Sequence, residues 1–154
     1  MKSNTQLFIE LWHEARTRFT NQLEHFTEND LKKKLAPSPN SLGFLIRHIG
    51  DVELLFAKNI FGNSEIKVIA KTVIAQKDTG EWTNLDELKE YVAFSFKSLQ
   101  SIVEKQSETD WETTITTKEF GTKTKAEAFG RILSHTTYHS GQMAIINKYG
   151  TIQF

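Results

Sequence analysis

Apolar residues recur at three- and four-residue intervals along four stretches of this chain, the spacing of a helix with one buried face. The first stretch runs from about Thr5 to Phe26, with Phe8, Leu11, Trp12, Ala15, Phe19, Leu23 and Phe26 along one side. It stops at Thr27-Glu28-Asn29-Asp30, a short Leu-Lys-Lys-Lys-Leu turn follows, and Pro37-Ser38-Pro39-Asn40 forbids simple continuation. A second helix starts at Asn40 or Ser41, either of which can accept a bond from the free NH groups of the first turn. It carries Leu42, Leu45, Ile46, Ile49, Val52, Phe56 and Ile60, and Gly62 followed by Asn63 supplies a left-handed stop.

Residues 63–82 lose the helical spacing. The β-branched run from Ile66 to Ala75 alternates weakly before Asp78, Thr79 and Gly80, which predicts an extended crossover with room for a short strand. In a bundle, so long a connection carries the chain back along its full length and sets the third helix parallel to the second. That third helix begins at Thr83 or Asn84, where Asn84 with Glu87 and Thr83 with Asp86 match the reciprocal capping pattern. It buries Leu85, Leu88, Val92, Phe96, Leu99 and Val103. Trp111 to Thr122, threonine-rich around Phe120-Gly121, favours an extended loop or hairpin. Thr124 and Glu127 then cap a fourth helix from about Lys125 to Tyr149, and Gly150 stands where it should end. The expectation is an all-α four-helix bundle, one domain over residues 1–154, with a long crossover between the second and third helices.

Histidines interrupt two of these apolar faces. Residues four apart lie on one side of a helix, so His135 and His139 point the same way, in the stripe Ala128, Ile132, His135, His139, Met143 and Ile146. His48 stands in line with Leu45, Val52 and Leu55, while Arg47 and Asp51 fall beside that line. Three neutral imidazoles suit a divalent cation such as zinc or nickel and leave coordination positions for water or substrate. An H-x-x-x-H pair alone arises by accident in helical chains. Without a metal, however, three buried imidazoles need partners for most of their ring nitrogens. His13 and His25 lie off the first helix's stripe and are assigned to the surface. Asp51 and Glu53 are candidates to orient a bound ring from behind, or are solvated. Tyr138, one turn from His135, is more simply a packing residue with a wet hydroxyl. Ser134, Thr136, Thr137 and Ser140 surround the pair without forming a hydrolase triad, and Gly141 suggests the close approach of a neighbouring helix.

Composition narrows the chemistry. The chain has no cysteine, so disulfides, thiolate metal sites and cysteine nucleophiles are excluded and a metal must rely on nitrogen and oxygen. Lysine plus arginine and aspartate plus glutamate both number 19, a zero formal charge that gives no reason to expect a nucleic acid or an anionic membrane as partner. The Lys32-Lys33-Lys34 run reads as a solvated patch. No apolar run is long enough to span a bilayer, and the chain opens on a charged amphipathic pattern rather than a signal region, so a cytoplasmic protein is expected.

Three segments resemble the DinB-like superfamily, which also contains YfiT-type proteins and thiol-dependent transferases. PSPNSLGFLIRHIGDVELLF is similar to its second helix with a single histidine, FGNSEIKV through GEWTNLDEL to its crossover, and SHTTYHSGQM to its H-x-x-x-H-x-G-Q signature. Ser140 stands where the family often has arginine. The likeness implies up-down-down-up helix order, a divalent metal held by His48, His135 and His139, and a homodimer. It also implies activity on small molecules. The leading expectation is a metal-dependent thiol transferase that presents a low-molecular-weight thiol to an electrophile. The alternatives are a metal-dependent hydrolase and a non-catalytic dimeric binding or stress-response module with a structural metal.

Overall fold

Side-chain caps fix where the long helices begin. Ser3 starts α1 (Asn4–His25) by accepting from the Gln6 amide. Ser41 starts α2 (Leu42–Asn59), α3 is the short Lys71–Ala75, Asn84 starts α4 (Leu85–Val103), and Thr124 starts α5 (Lys125–Tyr149). At α5 the reciprocal Thr124–Glu127 box forms in full. These elements belong to a computed structural model that describes residues 1–152; Gln153 and Phe154, the end of the domain expected from sequence, lie outside the described residues. The all-α expectation holds approximately: among the described residues two small antiparallel sheets accompany five α-helices.

Each sheet answers a local need. Thr114–Thr117 (β2) and Gly121–Thr124 (β3) form the expected hairpin, with Thr114 opposite Thr124 and Thr117 opposite Gly121. Gly121 sits at φ +71°, a conformation that side chains disfavour. The lysine run departs from the solvated turn expected of it. Lys33–Lys34 (β1) pairs with Thr151–Ile152 (β4), which ties the segment after α1 to the chain beyond α5. Lys33 bonds Asp30 at 2.7 Å and Lys34 bonds Asp78 at 3.1 Å, and both are half-buried. Gly150 ends α5 with an ordinary extended backbone at φ −73°, not a left-handed turn. A Cβ there would meet the Lys34 carbonyl at 2.9 Å and the Ile146 carbonyl at 2.5 Å, so the glycine is required by close approach.

Helix α2 lies innermost. It packs against α4, α5 and α3, whereas α1 packs against α5 and α4. Trp12, Leu54, Trp111, Phe129 and Ile132 form one apolar cluster, and Phe19, Leu42, Ile46, Ile49 and Met143 another. Between them runs a buried polar link. Arg16 Nε donates to Glu53 Oε1 at 2.8 Å, Ser95 Oγ donates to Glu53 Oε2 at 2.6 Å, and the guanidinium lies 5.0 Å from the Phe19 ring and 4.7 Å from that of Phe96. Glu53 therefore neutralises a core arginine and takes no part in orienting a histidine. A buried charge of either sign alone would be costly, which is why the two sit together.

Two further expectations change. The crossover holds no strand: Lys71–Ala75 is a helical turn ending on Gln76 at φ 56°. Its weak β pattern is overridden by α2, because the Thr72 amide and hydroxyl both donate to the buried Asp51 carboxylate. Gly141 provides no close helix approach, since a Cβ on it would meet nothing within 4 Å. The glycines that close contacts do require are on α2. A Cβ on Gly43 would strike the Trp82 carbonyl oxygen at 1.9 Å, and one on Gly50 would strike the Tyr91 ring at 2.7 Å.

Candidate metal centre

His48 on α2 and His135 and His139 on α5 converge because these two helices pack side by side and the pair on α5 is one turn apart. His135 Nε2 stands 3.1 Å from His48 Nε2 and 3.1 Å from His139 Nε2. One ring nitrogen from each residue lies within 4.8 Å of the others, a group that could hold a metal ion. His13 and His25 lie apart on the exposed side of α1, as expected. The three rings are half-buried rather than buried in the apolar seam: the fully enclosed positions of α5 between Ile132 and Met143 are Thr136 and Ser140. The histidines instead stand at the edge of the core, where they line an open cleft of about 780 Å³.

Hydrogen bonds behind the rings settle which nitrogens carry protons. Asp51, wholly buried, accepts at Oδ2 from the Thr72 hydroxyl at 2.7 Å and the Thr72 amide at 3.0 Å, and at Oδ1 from Arg47 Nε at 2.8 Å and the Tyr91 hydroxyl. The Thr72 hydroxyl has one proton, and Asp51 takes it. Its oxygen, 3.0 Å from His48 Nδ1, must therefore accept from that nitrogen. His48 then carries its proton on Nδ1 and turns a lone pair on Nε2 toward the other rings. His139 does likewise, because its Nδ1 is 2.6 Å from the Gln142 side-chain carbonyl, which only accepts. His135 Nδ1 is buried without a partner among the described residues.

This donor set fits a cation. With Nδ1 protonated on His48 and His139, at most one proton on His135 can serve the lone pairs crowded at the centre. Nitrogens bound to one ion at about 2.0–2.1 Å, and about 90–110° apart, stand about 2.8–3.4 Å from each other, a range that contains the observed 3.1 Å. Electrostatics agree. Burial, with the neighbouring His139, lowers the His48 pKa to about 4 despite the opposing pull of Asp51. Burial, then His139, His48 and Arg131, lowers His135 to about 3. Burial lowers His139 too, against the Gln142 bond. The rings are thus neutral at pH 7, the form in which imidazole binds metal.

Sequence reasoning found the three histidines and one supporting residue, Asp51, but placed Asp51 beside the buried face when it is wholly enclosed. Thr72 and Tyr91 were missed, and Gln142 entered only as part of the signature, without a role. Thr72 lies in the stretch without periodicity, so no spacing connects it to His48. Gln142 was legible in principle, three residues from His139 on the same helix. Around the pair, Ser134, Thr137 and Ser140 all donate to carbonyls of their own helix, so none is a free nucleophile. Tyr138 is exposed at the cleft, with its ring 5.2 Å from that of His139.

The crystal structure of a conserved protein from Enterococcus faecalis superposes with a TM-score of 0.68 over 96% of this chain and 97% of that one, at 19% identity, a likeness of fold alone. No curated protein matches. No helix among the described residues is long and apolar enough to cross a membrane. The family model of the DinB superfamily matches residues 11–143, which contain all three histidines and the Asp51–Thr72 support, and the chain belongs to that superfamily.

Proposed function

We propose that this protein is a metal-dependent enzyme acting on small molecules, of the thiol transferase type, with His48, His135 and His139 as ligands of a zinc or nickel ion. The observation that carries the reading is the crowding of three Nε2 atoms, 3.1 Å apart in two pairs, on the wall of an open cleft. A divalent cation there supplies Lewis acidity, which lowers the pKa of a small thiol and favours its thiolate for attack on an electrophile such as an epoxide or alkyl halide. The protein's own part is to hold and to enclose. Thr72 and Gln142 keep the His48 and His139 protons on Nδ1, and Asp51 fixes Thr72. Val52, Phe56 and Ile60 shield part of the cleft from water.

In this reading the four long helices run up-down-down-up, supported by the long connection between α2 and α4. The molecule works in the cytoplasm as a homodimer, with neither nucleic acid nor membrane as partner; the zero net charge supports the absence of a polyanionic partner. Protein shown to hold one ion per chain is incubated with the common bacterial thiols and a panel of electrophiles, and adducts are followed by mass spectrometry. Adducts that form only with the ion in place are expected. None anywhere in the panel would sink the transferase reading, and turnover without added thiol would replace it with hydrolysis.

A further inference from the structure

The cleft beside the histidines has an apolar wall and a cationic one. Val52, Leu55 and Phe56 come from α2, Ile60 from the cap at its end, and Phe120 from the hairpin turn, its ring 6.3 Å from that of Phe56. Arg131, one turn before His135 on α5, lines the same cleft with its guanidinium 4.7 Å from the centre of the Phe120 ring. Lys118 is a second cation on that wall, and Glu119 is the one acidic residue lining the cleft.

Glu119 is also the ion-pair partner of Arg131, at 3.2 Å through a single nitrogen. The two side chains are 71% and 41% exposed, so water screens the contact and it holds the arginine weakly. Phe120, by contrast, gives the planar guanidinium a surface to lie on. An arginine so placed presents a fork of NH groups suited to a carboxylate. The volume suits a ligand larger than a bare thiol.

We infer that the cleft selects small molecules with an apolar body and a terminal carboxylate, which Arg131 receives in exchange for Glu119 while the ligand's other end reaches the three histidines. The inference rests on the metal-site reading for that second end only. Arg131 is a specificity residue in this assignment, and Glu119 is a placeholder that the ligand displaces. The hairpin becomes part of the recognition surface, because its turn supplies Lys118, Glu119 and Phe120 together.

Calorimetric titration of the protein, with and without zinc, against mercaptohexanoate, mercaptohexanol, hexanoate and hexanol tests this. The zinc-loaded protein should bind mercaptohexanoate about tenfold more tightly than mercaptohexanol, the effect of one charge-assisted hydrogen-bonded pair. Arg131→Gln should abolish that preference by weakening the acid's binding, and Glu119→Gln should widen it; melting curves check that both variants fold. Equal binding of acid and alcohol, or a preference that survives Arg131→Gln, overturns the inference. If the thiols bind no better than their thiol-free counterparts, the transferase reading fails, while an Arg131-dependent preference for hexanoate over hexanol upholds the carboxylate site.

Discussion

Thr72 shows how much can depend on one hydroxyl. Its single proton goes to Asp51, so its oxygen must accept from His48 Nδ1, and the lone pair on Nε2 follows from that. Thr72→Val keeps the shape and removes the acceptor. We expect it to weaken zinc binding about 10–100-fold, the usual effect of losing a partner behind a ligand, while Thr72→Ser restores affinity to near the parent value. Competition with a chromogenic chelator measures both; equal affinities for the valine and serine variants would refute the role. The histidines were legible because helical periodicity connects residues three and four apart. Thr72 was not, because it reaches His48 through a packing contact between α3 and α2 that leaves no repeat in the chain.

Helix packing separates glycines that look alike in sequence. Gly141 resembled a contact glycine and is open; Gly43 and Gly50 attracted no notice and carry the close contacts of α2 with Trp82 and Tyr91. Gly141→Ala is expected to raise stability by about 0.5–1 kcal/mol through helix propensity alone. Gly43→Ala is expected to cost about 1–3 kcal/mol, because the Trp82 carbonyl must move to admit the methyl group. Urea unfolding of the two variants measures the contrast, and a stabilising Gly43→Ala would show that the approach of Trp82 is slack. All four long helices were legible in outline, and their caps at Asn84 and Thr124 were among the residues anticipated, because a cap is decided within four residues of chain. The turn at α3 was not, since its β-branched residues follow Asp51 rather than their own preference.

Charge burial links the metal centre to the stability of the whole molecule. In the unfolded chain a histidine titrates near 6.5, whereas in the metal-free fold His48 and His135 are lowered to about 4 and about 3 and His139 is lowered as well. Below pH 6.5 the unfolded state therefore takes up protons that the folded state refuses. The contribution to stability is complete above pH 6.5, and it is lost as pH falls through 6.5 toward 4. Unfolding of the metal-free protein should show this decline between pH 7 and pH 5, and His135→Gln should show a smaller one; equal slopes would place its cause elsewhere. Local chemistry along the chain was enough to establish the helices, their caps and two histidine-bearing faces, because each depends on neighbours within one or two turns. Packing of α2 against α3, α4 and α5 decided the rest. It brought His48 to the α5 pair, enclosed Asp51, set the proton on His48 and opened the cleft beside the rings, all through contacts between residues far apart in the chain.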